Sequence, residues 1–127
     1  MAARLVTIPF SHYCEKARWA LEACGVEYRE EGHLPLFHVM PVKLAGGGRT
    51  VPLLVDGRTV VADSTPIIAW ADAKRPGTLL PADERDREEA LQLEDELDRL
   101  FQDPAACVEL SATLDHHAGA VPSASTR

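Results

Sequence analysis

Ser11 is the first residue whose position suggests chemistry. It lies three residues ahead of Cys14 and directly before a segment whose apolar residues have helical spacing. A serine in this place can cap the helix, because its hydroxyl oxygen accepts a hydrogen bond from a free amide of the first turn. The hydroxyl can also donate to a bound anion, which the positive end of the helix favours. A helix cap and an anion site are both open interpretations of Ser11.

Asp63 and Ser64 form a second polar pair, which precedes another predicted helix with Pro66 in its first turn. Either side chain can cap this helix. The helix amino terminus and the serine hydroxyl can also receive a carboxylate, while Asp63 can pair with an ammonium group. The pair is therefore a candidate site for a ligand that carries both charges, and capping and binding can hold together.

The cysteines and a histidine pair are the remaining candidates for chemistry. The three cysteines, Cys14, Cys24 and Cys107, form no CxxC pair and no dense disulfide framework. Their number and spacing suit a reducing compartment, so we expect a cytoplasmic location. His116 and His117 have no third ligand at a suitable spacing, so we predict no metal site and interpret the pair as part of a solvated tail.

Length and charge narrow the class of protein. A chain of 127 residues accommodates one domain with a sizeable core and an appendage. The net charge is −7, and it is uneven: residues 1–81 hold nine Lys or Arg against eight Asp or Glu, and residues 82–127 hold four against twelve. An acidic surface repels phosphate backbones, which excludes nucleic acid as the expected partner. No apolar run is long enough to span a bilayer, so no membrane partner is predicted either.

Hydrophobic periodicity and turn residues predict the elements that position these side chains. In chain order they are a strand over 5–8, a helix from Ser11 ending at Gly25, a half-exposed strand over 26–31, an irregular helix and mobile loop over 32–48, a hairpin over 50–62 turning at Asp56-Gly57, a helix up to 75 and an acidic helix over 83–102. The segment between the last two helices ends in Leu79-Leu80 and is predicted to dock. The order is βαβαββα plus a helix, an α/β fold.

Three strings in this order and spacing resemble the N-terminal domain of the glutathione S-transferase family. They are IPFSHYCEKARWAL, TVPLLVDG and VADSTPIIAW, and the resemblance covers about residues 4–80. It implies a thioredoxin-like domain, which we place at 1–78. Residues 79–127 would form a linker, an acidic amphipathic helix and a poorly ordered tail, a partial version of the all-helical C-terminal domain.

The resemblance also implies roles for particular residues in binding glutathione. Ser11 matches the catalytic serine of theta- and delta-like members, whose hydroxyl donates to the glutathione sulfur and favours its thiolate. Tyr13 and Cys14 are rivals for this role, because other classes use tyrosine or cysteine, although a core thiol is the better interpretation of Cys14. Asp63 and Ser64 match the residues that receive the γ-glutamyl end.

The other glutathione contacts implied by the resemblance come from the segment before the hairpin. Val51-Pro52 matches the family's Val-Pro pair with a cis peptide bond, whose backbone would pair with the cysteinyl residue of glutathione; a trans proline at a strand start is the alternative. Lys43 would reach the glycyl carboxylate. Alternatives for that contact are Arg49, His33 and His38.

The resemblance predicts an enzyme that transfers glutathione, as co-substrate and without a metal, to an electrophilic small molecule. A homodimer is possible. The alternative is a non-catalytic binding or scaffold module, because residues 82–127 contain one clear helix where the family has a complete helical domain. Disulfide exchange of the glutaredoxin kind is disfavoured, since a serine at position 11 cannot form a mixed disulfide.

Overall fold

A computed structural model describes residues 2–103 and 105 of the chain. The chain divides into two units between Ala90 and Leu91. The elements are β1 (Ala3–Thr7), α1 (His12–Ala23), β2 (Tyr28–Gly32), α2 (Val39–Leu44), β3 (Leu53–Asp56), β4 (Thr59–Ala62), α3 (Ser64–Lys74) and α4 (Glu84–Gln102). The first seven confirm the predicted βαβαββα order of a thioredoxin-like fold. None of the described helices is both long and apolar enough to cross a membrane.

The four strands form one sheet in the order β2-β1-β3-β4. β1 pairs parallel with β2 and antiparallel with β3, and β4 pairs antiparallel with β3. Because side chains alternate along a strand, Leu5 and Leu54 share the face covered by α1 and α3. Val6 and Leu53 lie on the other face, where they pack against Val42 of α2. The sheet therefore has helices on both faces. The chain leaves the sheet at the carboxyl end of β1 and reaches Ser11 four residues later.

Helix α1 begins and ends as the sequence predicts. Cys14, the predicted core thiol, is fully buried and belongs to the apolar face of the helix. At the other end Gly25 has φ 67°. The Gly25 amide donates to the Glu22 carbonyl and the Val26 amide to the Leu21 carbonyl, at 3.0 and 2.9 Å. This is a Schellman motif, whose positive φ suits glycine.

Two local predictions about the strands were wrong. β2 begins at Tyr28 instead of Val26, because the Val26 amide is used in closing α1. Half-burial in β2 falls on Tyr28 and Glu31, three residues apart, so β2 lacks the regular alternation typical of a half-exposed strand. In the hairpin Asp56 pairs with Thr59, so the two-residue loop is Gly57-Arg58 and not Asp56-Gly57.

The segment between α3 and α4 belongs to the first unit and packs against its core, as predicted. Leu80 is buried and Leu79 packs against the core cluster. Asp72 of α3 fixes this turn, since its buried carboxylate accepts the amides of Leu79 and Leu80 at 2.9 and 3.2 Å. It also pairs with Arg87 of α4 at 3.0 Å. The predicted acidic helix is confirmed as α4, with the Asp83 side chain accepting amides of its first turn; the predicted tail and the histidine pair lie outside the described residues.

Candidate functional site

Ser11 lies at the amino terminus of α1, just beyond the end of β1. Its side-chain oxygen accepts a hydrogen bond from the Cys14 amide at 3.4 Å, and its carbonyl accepts the Glu15 amide at 3.0 Å. Ser11 therefore caps the helix, and its side chain is half-buried. A hydroxyl that accepts one bond still carries a hydrogen to donate. Capping and donation to a ligand are thus compatible in this geometry.

Tyr13 is the remaining alternative to Ser11 as the hydrogen-bond donor to the thiolate, because Cys14 is fully buried in the core. The Tyr13 hydroxyl is buried and has no hydrogen-bond partner among the described residues. Its ring stacks at a tilt on His12, with centroids 3.8 Å apart. Ser11, in contrast, sits at the cap position itself and is partly exposed. The positive end of the helix therefore favours an anion near Ser11.

The segment before β3 meets the segment before α3. The Val51–Pro52 peptide bond is cis, as predicted. The Pro52 carbonyl accepts the Asp63 amide at 3.0 Å, and the Thr50 hydroxyl donates to the Asp63 carboxylate at 3.2 Å. These two bonds bring the predicted residues Val51, Pro52 and Asp63 together at one place.

Asp63 has an unusual backbone, with φ 70° and ψ 155°. It occupies the cap position of α3, but its side chain makes no capping bond, so the predicted side-chain cap is wrong for Asp63. The reason is this conformation, in which the exposed carboxylate meets Thr50 instead. A positive φ is uncommon for a residue with a side chain and marks functional segments more often than others. Ser64, the first residue of α3, is buried.

Lys43 is exposed near the end of α2. Within residues 2–103 and 105, no hydrogen bond or ion pair joins its side chain to the other predicted site residues. His38 has a connection toward them, since its Nε2 lies 3.1 Å from the Arg49 carbonyl, two residues before Val51. Among the described residues no group of three metal-ligating side chains occurs.

A charged network that the sequence did not reveal holds α1 against the sheet. Arg18 donates to Glu30 through Nε and Nη2 at 2.8 and 2.6 Å, and the buried Thr7 hydroxyl donates to the same carboxylate oxygen at 2.6 Å. The bond from Arg18 is the main reason that the pKa of Glu30 lies below its ordinary value. The bond to Glu30 likewise raises the pKa of Arg18. This network ties the helix that carries Ser11 to β1 and β2; only its Glu15–Arg18 pair has a spacing visible in sequence.

Comparisons with solved structures agree with this fold. A glutathione transferase homologue from Burkholderia gl BGR1, solved with bound glutathione, is 21% identical, with a TM-score of 0.70 over 91% of this chain and 66% of its own. A tau-class glutathione S-transferase from mango is 20% identical, with a TM-score of 0.72 and coverages of 89% and 59%. A Ceriporiopsis subvermispora glutathione S-transferase in complex with glutathione is 18% identical, with a TM-score of 0.62 and coverages of 98% and 65%. At these identities the likeness shows the fold alone.

The family assignment comes from a sequence model. The chain spans 59% to 66% of the lengths of these three structures. No curated protein matches it. The model of the glutathione S-transferase N-terminal domain, however, matches residues 5–79, which is more than half of the chain and runs from within β1 to beyond the end of α3. The chain therefore belongs to the glutathione S-transferase family, whose N-terminal domain it contains.

Proposed function

We propose that this protein binds glutathione in its first unit and stabilises the thiolate for attack on an electrophilic small molecule. The observation that carries the proposal is the placement of Ser11, whose hydroxyl caps α1 and keeps a hydrogen to donate. In the reaction the glutathione thiol gives its proton to solvent. The sulfur then forms a bond to the electrophilic carbon, and the leaving group departs with its electron pair.

Stabilisation of the thiolate rests on two features of α1. The helix amino terminus carries a partial positive charge, which favours an anion over a neutral thiol. The Ser11 hydroxyl adds one hydrogen bond that is stronger to sulfur when the sulfur is charged. Together they lower the pKa of the bound thiol, so that more of it is reactive at neutral pH.

The γ-glutamyl end of glutathione is assigned to Asp63 and Ser64. The exposed Asp63 carboxylate pairs with its ammonium group, and the Ser64 hydroxyl at the start of α3 meets its carboxylate. The backbone of Val51, held near Asp63 through Pro52, pairs with the cysteinyl residue. Lys43 is assigned to the glycyl carboxylate. Arg49, two residues before Val51, and His38, whose ring contacts the Arg49 carbonyl, are the alternatives.

A non-catalytic binding or scaffold module is the second candidate. It is favoured by α4, the described helix that follows the thioredoxin-like fold, because none of its residues is buried. A helix without a buried face supplies no wall to a second pocket for the electrophile. Homodimerisation and a cytoplasmic location stay predictions.

The deciding experiment measures conjugation of glutathione to an activated aryl halide by the purified chain. Formation of the thioether above the uncatalysed rate supports the enzyme. Saturable glutathione binding in a calorimeter without rate enhancement supports the binding module. Absence of both binding and conjugation contradicts both candidates.

Asp63→Ala should weaken glutathione binding about tenfold, because it removes a charge-assisted contact remote from the sulfur. The turnover number at saturating glutathione should change little. Isothermal titration calorimetry measures the affinity, and Glu27→Ala, which removes an exposed carboxylate next to the end of α1, is the control. Equal affinities of Asp63→Ala and the parent protein would remove Asp63 from the site.

A further inference from the structure

The segment from His33 to Arg49 has exposed apolar side chains and a positive charge, although the whole chain is acidic. Five large apolar side chains in it are between 65% and 82% exposed, namely Leu34, Leu36, Phe37, Met40 and Leu44. Five such side chains within eleven residues are more than the single exposed apolar residues that are normal on a protein surface, and an accumulation of this kind marks an interaction site. We call these five residues the apolar ridge.

The apolar ridge lies in the longest part of the chain without acidic residues. No Asp or Glu occurs from Gly32 to Thr50, although the whole chain has 20 acidic residues and a net charge of −7. The same stretch holds Lys43, Arg49 and two histidines. Large apolar side chains next to cationic ones are the composition of segments that lie in the interface of an anionic bilayer.

The acidic residues that flank this stretch in sequence are neutralised within the fold. Glu30 is paired with Arg18 and Glu31 with Arg4. On the other side the next acidic residue is Asp56, which pairs with Lys74 at 3.8 Å. Salt screens exposed charges beyond about 8 Å at physiological ionic strength, so the charge at the apolar ridge is set by nearby residues and not by the net charge of the chain. The exposed Asp63 carboxylate, which accepts the Thr50 hydroxyl, is the acid bonded to this stretch among the described residues.

We infer that the apolar ridge docks onto an anionic lipid surface, with its apolar side chains in the bilayer interface and Lys43 and Arg49 beside lipid phosphates. The sequence contains no spanning segment, but an interfacial contact needs none. A lipid surface adapts to protruding side chains, whereas a protein partner must supply a complementary pocket. Lys43 is also assigned to the glycyl carboxylate of glutathione, so vesicle binding is measured in the absence of glutathione. The His33 amide donates to the Thr7 carbonyl at the end of β1, so the docked segment lies next to the sheet edge that precedes Ser11.

The test is co-sedimentation of the full chain with phosphatidylcholine vesicles, with and without phosphatidylserine. Phosphatidylserine should raise the partition coefficient about thirtyfold, because two cations lie near the surface and each contributes about 1 kcal/mol. Phe37→Ser and Leu44→Ser should each lower it about tenfold, through the loss of an inserted side chain. Both side chains are exposed, and circular dichroism verifies that the variants fold.

Trp19→Ser is the matched control. Trp19 is 68% exposed on α1, comparable to Phe37 at 73%, but it lies outside the acid-free stretch. This variant loses more apolar area than Phe37→Ser and should still bind vesicles like the parent protein. An equal loss in all three variants, or no binding to phosphatidylserine vesicles, would overturn the inference. So would sedimentation velocity showing that Phe37→Ser dissociates a dimer, which would assign the apolar ridge to a second copy.

Discussion

Ser11→Ala should lower the turnover number for glutathione conjugation about a hundredfold, which is typical for loss of one donor to a developing or stabilised anion. Affinity for glutathione should change by less than about threefold, because the hydroxyl acts chiefly on the sulfur and the other contacts persist. The pKa of the bound thiol should rise toward that of free glutathione. Ultraviolet titration of the thiolate and steady-state kinetics measure the two effects separately.

The controls for Ser11→Ala separate donation from capping. The alanine variant also loses the cap, at a cost of about 1 kcal/mol in stability. Ser11→Thr keeps both the cap and the donor, so it should retain most of the activity. Tyr13→Phe removes the rival hydroxyl and should resemble the parent protein. A parental thiol pKa in Ser11→Ala, or a comparable loss of turnover in Tyr13→Phe, would show that the role of Ser11 is wrongly assigned.

Much of the fold and the placement of the candidate residues could be predicted, because the signals are local. Ser11 caps the start of α1 and Gly25 closes its end, each through a hydrogen bond to a residue three positions away. The hairpin follows from two β-branched runs around one glycine. The cis bond at Val51–Pro52 was predicted through the family resemblance and is confirmed in the structure.

The features that the sequence did not predict depend on contacts between residues that are far apart in the chain. The extent of β2 is set by its register on β1 and by the closing turn of α1, neither of which is visible in local periodicity. The sequence predicts Glu30 only as part of a half-exposed strand, but its carboxylate accepts hydrogen bonds from Arg18 of α1 and Thr7 of β1. The sequence gives no sign that Asp72 is buried within its helix. Its burial depends on the turn after α3, in which the buried Leu80 donates its amide to the Asp72 carboxylate.

Asp72→Ala should lower the free energy of unfolding by about 3 kcal/mol. The substitution leaves the Leu79 and Leu80 amides without their acceptor, and an unsatisfied buried donor costs about 1–3 kcal/mol. The partner Arg87 is one-third exposed and can turn to water, which limits the loss from the ion pair. Urea unfolding gives the free energies. Asp56→Ala breaks a more exposed ion pair between β3 and Lys74 of α3, so it should lose less than about 1 kcal/mol. An equal loss in both variants would contradict the buried role of Asp72.

The contribution of Asp72 should also depend on pH in a defined direction. The Leu79 amide is the main cause that holds the pKa of the Asp72 carboxyl below its ordinary value, against the opposing effect of burial. Its stabilisation is therefore fully present above the unfolded pKa of about 3.9 and is lost as the pH falls through the lower folded pKa. Asp72→Asn has nearly the same shape but cannot ionise. The difference in unfolding free energy between parent and Asp72→Asn should shrink below about pH 4, while other carboxyls such as Glu30 cancel because both proteins contain them. A difference that stays constant across this acid range would show that Asp72 stabilises the turn through shape and not through its charge.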